Sequence, residues 1–106
     1  MTSEQVKRAL EELVRERDWA QFHTPANLAK SISIEAGELL ECFQWSDDGD
    51  EARMREELAD VATYCALLAA RLGVDLDDIV LEKLAVTKAK YPTEQSRGRS
   101  TKYDAL

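Results

Sequence analysis

From Thr24 to Gly73 the apolar residues recur at helical spacing, and the pattern breaks once, at Ser46-Asp47-Asp48-Gly49-Asp50. Each helical residue turns the chain by about 100°. Before the break, Leu28, Ile32, Ala36, Leu39, Leu40 and Phe43 therefore share a face. After it, Met54, Leu58, Val61, Tyr64, Cys65, Leu68 and Leu72 share another. Two apolar stripes joined by a short turn predict an antiparallel helix pair.

The flanking segments extend this plan. Ser3 is a candidate N-cap for a helix to about Trp19, with Val6, Leu10, Leu13 and Val14 as its apolar face. A short AQFH connection leads to Thr24-Pro25, a cap followed by Pro at the first helical position, and the second helix runs to about Trp45. The third spans about Glu51 to Leu72 and stops at Gly73; Asp75 caps a fourth that ends before Pro92. Four Gly and two Pro in 106 residues leave little else to break helices. The expected fold is all-α, a four-helix bundle formed by residues 1–92. Residues 93–106 form a basic tail, read as extended or flexible. A core built from so short a chain is marginal, so completion of the bundle by oligomerisation is expected.

The net charge of −7 argues against neutralising the phosphates of a nucleic acid polymer. A small anionic substrate remains compatible, because a bound cation reverses the local field. No apolar run reaches membrane-spanning length, and the polar N-terminus lacks the features of a signal peptide; the expected location is cytoplasmic. Cys42 and Cys65 fall at apolar helical positions and read as reduced core thiols.

Acids interrupt both stripes. Glu35 lies at the edge of the first with Glu38 beside it and Glu41 farther round; Glu57 falls inside the second and Asp60 at its edge. Each helix thus carries an i, i+3 acidic pair on the face that should meet its partner. An isolated pair of this kind is commonly a solvated flank. Here four carboxylates converge if the stripes face each other, with repulsion comparable to the roughly 5–15 kcal/mol net stability of a small domain. A cation would compensate. Carboxylates without His or Cys suit a hard divalent ion, Mg²⁺ above all, which keeps waters and adds phosphate oxygens. A di-iron bundle needs Glu-x-x-His twice, and the single histidine, His23, lies outside both acidic helices. An EF-hand reading of the turn places Arg55 where the bidentate Glu belongs.

Glu35-x-x-Glu38, eighteen residues, then Glu57-x-x-Asp60 resembles the metal signature of the MazG-like all-α nucleoside triphosphate pyrophosphohydrolases. RDWAQFHTPANL, EAGELLECFQW, EELADVATY, KYP and RGRSTKYDAL are similar to the dCTP pyrophosphatase branch of that family, from about Leu10 onward. The resemblance implies cleavage between the α and β phosphates, giving a nucleoside monophosphate and pyrophosphate, for control of the nucleotide pool. It implies Mg²⁺, with Mn²⁺ as a substitute, on Glu35, Glu38, Glu57 and Asp60. It also implies a nucleotide pocket lined by Trp19, Ala20, Gln21, Phe22 and His23, with Trp45 beside the base and Tyr64 on the substrate. Assembly into a homotetramer or homodimer is implied as well. Leu10 and Thr87 depart from a His and an Asn of the family pattern, which bears on base or sugar choice more than on the reaction.

On chemical grounds a carboxylate of the cluster positions or deprotonates the attacking water. Glu38 is preferred, with Glu41 as an outer partner. Lys83, Lys88, Lys90, Arg97, Arg99 and Lys102 are candidate phosphate contacts, and the tail a candidate flap over the substrate. The competing reading is a catalytically silent helical module that binds nucleotides or a protein through the same groove.

Overall fold

The computed structural model describes residues 3–106. Helix α1 (Glu4–Arg17) begins at Ser3, whose hydroxyl accepts the Val6 N–H at 3.2 Å. It stops at Asp18, which adopts the left-handed conformation at φ 51° and closes onto the Val14 and Arg15 carbonyls. A single 3₁₀ turn over Ala20–Phe22 then leads to Thr24. The Thr24 hydroxyl accepts the Asn27 N–H at 3.1 Å and Pro25 opens α2 (Pro25–Glu41). Asp50 caps α3 (Glu51–Leu72) through the Ala52 and Arg53 N–H groups, and Gly73, at φ 69°, ends it. Asp75 caps α4 (Leu76–Lys90) by accepting from Asp78 N–H.

All the described regular structure is helical, as the period required. Two boundaries differ from expectation. Helix α2 ends at Glu41 rather than near Trp45, because successive i→i+3 bonds tighten the chain: Cys42 to Leu39, Phe43 to Leu40 and Gln44 to Glu41. The turn that follows folds back over the Phe43 ring. Gly49, at φ 60°, lies so close that an added Cβ would stand 2.9 Å from Phe43 Cε1. Trp45 is thereby released from the helix and is 90% exposed.

The tail is the second difference. It holds a short helix, α5 (Thr93–Ser96), and a 3₁₀ turn over Tyr103–Ala105. Pro92 explains the first: it ends α4, yet its carbonyl accepts from Gln95 and Ser96 to start a new turn. Tyr103 packs edge-to-face on Tyr91 at 6.0 Å between centroids, and the Lys90 ammonium stands 4.6 Å from the Tyr103 ring centroid.

The chain divides into two compact units, one ending at Val74 and one running from Asp75 to Leu106. Within the first, α2 lies along α3, and α1 meets α3 over a smaller area. Among the described residues only Leu28 (1% exposed) and Ala69 (6%) form a fully buried core. Ile34, Leu40, Leu58 and Leu72 stay exposed, Leu40 at 71%. No helix of the described chain is long and apolar enough to cross a membrane.

Leu28 is thus the side chain whose loss the fold feels most. Leu28→Ala is expected to lower unfolding stability by about 2–5 kcal/mol, read from urea denaturation, as for other fully buried leucines.

Candidate active site

Three residues apart on one helix are neighbours, so Glu35 and Glu38 rise together from α2, and Glu57 and Asp60 from α3. Packing α2 on α3 brings the pairs face to face. One carboxylate oxygen each from Glu35, Glu57 and Asp60 lies within 4.8 Å of the other two. Glu38 borders this trio, close enough for its carboxyl group to raise the pKa of both Glu35 and Glu57. Glu35 and Glu57 are half-buried and Asp60 is exposed.

The electrostatics are those of acids crowded without a counter-charge. Burial comes first in raising the Glu35 pKa from 4.5 to about 7; the hydrogen bond and charge of Glu38 and the charges of Asp60 and Glu57 add to it. Glu57 is raised too, again by burial first and then by Glu38. No ion pair among the described residues reaches Glu35, Glu57 or Asp60. Glu35 Oε2 and Glu57 Oε2 are buried with no hydrogen-bond partner. Orphaned buried oxygens are costly, and an all-oxygen set at this spacing fits a hard divalent cation.

Glu41 lies apart from the trio. Its carboxylate is paired with Arg53 at 3.2 Å, a tie across the turn that joins α2 to α3. The sequence places Arg53 across that turn on another face; the fold back over Phe43 is what lets it reach.

Toward the N-terminus of α2, a cavity of about 360 Å³ is lined by Trp19, Phe22, His23, Asn27, Leu28, Ser31 and Tyr64. Four of the expected nucleotide contacts, Trp19, Phe22, His23 and Tyr64, thus share one wall. Arg17 braces that wall from outside, 5.7 Å from the Trp19 ring centroid, while its Nη1 donates to the Leu13 carbonyl. The Asn27 amide donates to the Phe22 carbonyl at 3.0 Å. Ala20 and Gln21 do not line the cavity; Gln21 instead donates to the Asp18 carbonyl and carboxylate. Trp45 is not among its lining residues. Lys83, Lys90, Arg97 and Arg99 belong to the second unit, where Lys90 is engaged with Tyr103. Asn27 and Ser31 are cavity residues that sequence reasoning missed. The available signal was their spacing, since Asn27, Ser31 and Glu35 follow at i, i+4 and i+8.

The family model that matches residues 30–106 is that of the MazG-like family. The chain belongs to the MazG-like family. Human dCTP pyrophosphatase 1 is 42% identical over 99% of this MazG-like chain and 68% of its own length. The rat protein of the same name is 41% identical over the same shares. A pyrophosphatase from Archaeoglobus fulgidus, known from a crystal structure, superposes with a TM-score of 0.78 at 38% identity. That match covers 84% of this chain and 91% of the archaeal one.

The crowded carboxylates make stability depend on pH in a defined direction. Between pH 4.5 and about 7 the folded protein keeps a proton on Glu35 that an unfolded chain has released. Metal-free protein should therefore lose stability as pH rises through that window, and Glu35→Gln should flatten the fall. Adding Mg²⁺ should raise Tm more at pH 8 than at pH 5, since metal binding needs the deprotonated acids. Thermal unfolding across pH, with and without Mg²⁺, reads all three effects.

Proposed function

We propose that this chain hydrolyses a deoxynucleoside triphosphate, dCTP or a modified dCTP, to the monophosphate and pyrophosphate, and so serves nucleotide-pool control. The carrying observation is adjacency. The aromatic cavity is lined on α2 and α3 by Ser31 and Tyr64 among others, and one helical turn onward from Ser31 stands Glu35, while Asp60 is one turn back from Tyr64. A nucleoside in the cavity would therefore extend its phosphates toward the carboxylates. The activity of the curated relatives, named dCTP pyrophosphatases, supports the same substrate.

Glu35, Glu38, Glu57 and Asp60 would hold the cation, Mg²⁺ or in its place Mn²⁺. When bound it supplies charge neutralisation for the phosphate oxygens and Lewis acidity. The remaining work falls to the chain. Glu38 accepts the proton of a water whose oxygen attacks the α-phosphorus, and the bond from that phosphorus to the bridging oxygen breaks, releasing pyrophosphate. Glu41, held by Arg53, supports the end of α2 behind Glu38. Tyr64 directs its hydroxyl to the substrate. Trp19, Phe22 and His23 enclose the nucleoside and Ala20 and Gln21 shape their turn, while Trp45, beyond the far end of α2 from that cavity, would reach the base only from a second copy of the chain. Lys83, Lys90, Arg97 and Arg99, all within the unit from Asp75 to Leu106, are the cations suited to phosphate oxygens.

The exposed apolar residues Ile34, Leu40, Leu58 and Leu72 support completion of the bundle by further copies, as a homodimer or homotetramer. Light scattering should give a mass of two or four chains, and Leu40→Lys should lower it; a monomer in both would refute the assembly.

A pyrophosphate-release assay over a panel of triphosphates, unmodified and methylated, tests the reaction. Release should depend on Mg²⁺ and vanish with EDTA. Glu57→Gln should lower kcat/KM by at least ~10²-fold, the scale on which one charge-stabilising group acts. No release from any triphosphate would leave the silent binding module as the correct reading.

A further inference from the structure

The cavity is aromatic on one side, but α2 gives it a polar rung. Asn27 and Ser31, one turn apart, both line it, above buried Leu28. Neither side chain is spent within the protein in the ordinary way.

The orientation of the Asn27 amide is fixed by its partner. The Phe22 carbonyl can only accept, so the nitrogen Nδ2 must face it, at 3.0 Å. The oxygen Oδ1 is turned the other way and has no donor among the described residues. Serine and threonine within helices commonly bond back to the carbonyl four residues earlier. Thr63 and Thr87 do so, at 2.8 and 3.1 Å. The Ser31 hydroxyl makes no such bond among the described residues, and it is half-buried at the cavity wall. The rung thus offers a fixed acceptor beside a hydroxyl free to donate.

That pair is the complement of one base edge. Cytosine presents an exocyclic amino donor next to a ring-nitrogen acceptor. Uracil and thymine present a carbonyl and a ring N–H in the same places, which would set oxygen against Oδ1 and leave both unsatisfied. A site built to bond a particular donor rejects the analogue lacking it far more strongly than an apolar pocket can. The position is also right for a nucleotide. Eight helical residues at a 1.5 Å rise place Glu35 ~12 Å along α2 from Asn27, with Ser31 between.

We propose that Asn27 is the specificity-determining residue of this site, with Ser31 beside it holding the ring: Asn27 Oδ1 accepts from the amino group of cytosine and the Ser31 hydroxyl donates to its ring nitrogen. The assignment rests on the substrate reading above and adds to it the residue that chooses the base.

Asn27 also steadies Phe22, so the test must separate reading from bracing. Asn27→Asp keeps an acceptor and loses the N–H to Phe22; Asn27→Leu loses both. With kcat/KM measured for dCTP and dUTP, Asn27→Leu should reduce the dCTP:dUTP ratio at least tenfold, and Asn27→Asp should keep most of it. Ser31→Ala should raise KM for both substrates with little change in kcat, because a hydroxyl donates to the cytosine ring nitrogen and accepts from the uracil ring N–H alike. A bracing role alone would depress both substrates in parallel and leave the ratio unchanged in both Asn27 variants, which overturns the proposal. Calorimetric binding of dCMP and dUMP gives a readout independent of turnover. A wild-type preference for dCMP that is lost in Asn27→Leu supports the base-reading rung even if no triphosphate is hydrolysed. Equal binding of the two monophosphates by the wild type overturns it even if hydrolysis proceeds.

Discussion

Mutual repulsion among half-buried carboxylates at the seam of α2 and α3 is the constraint around which this molecule is arranged. An ordinary helix pair fills its seam with hydrocarbon. Here the middle of the seam holds Glu35 and Glu57, each with a buried oxygen lacking a partner, and the fully buried hydrocarbon is reduced to Leu28 and Ala69. The acids respond in the only way open to them without a cation, by holding protons beyond their usual range. Stability given up at such a seam is a common mark of a functional site.

What surrounds the seam compensates locally. Each of the four long helices has a side-chain N-cap, from Ser3, Thr24, Asp50 and Asp75, worth about 1 kcal/mol apiece in comparable proteins. The Arg53–Glu41 pair ties the two acidic helices across their turn, though at its exposure a pair of this kind contributes little to stability. Its value lies in geometry, holding the end of α2 in register with the start of α3. The 19–23 turn is held in a similar way, by Arg17 on Trp19, Gln21 on Asp18 and Asn27 on Phe22.

Most of this was legible in the sequence where the governing interaction is local. Thr24-Pro25, Asp75 and Gly73 announce helix ends through contacts made within a few residues, and all three do what they announce. The carboxylates were legible because an acid inside an apolar stripe conflicts with packing whatever its partner. Asn27 and Ser31 were not, because a polar residue on a helix looks the same whether it faces water or a cavity; only the placement of the aromatic turn decides. Arg53 and Glu41 were hidden for a related reason, since their meeting depends on how tightly the chain turns around Phe43 and Gly49. The short turns of the tail were not legible, because in the sequence Pro92 marks only a stop, while its carbonyl also begins a turn.

One consequence concerns which changes of length such a chain can tolerate. Asn27, Ser31 and Glu35 stay within about 80° of one bearing only because they are spaced four residues apart on one uninterrupted helix. A single residue inserted between Ser31 and Glu35 would swing Glu35 about 100° out of the seam, with no side chain altered. The same insertion at Asp47 or Asp48 would fall in an exposed turn outside both helices. Across descendants of this sequence, α2 should therefore keep its residue count between Asn27 and Glu38 even where its composition drifts, while gaps and additions collect in the turn before Asp50.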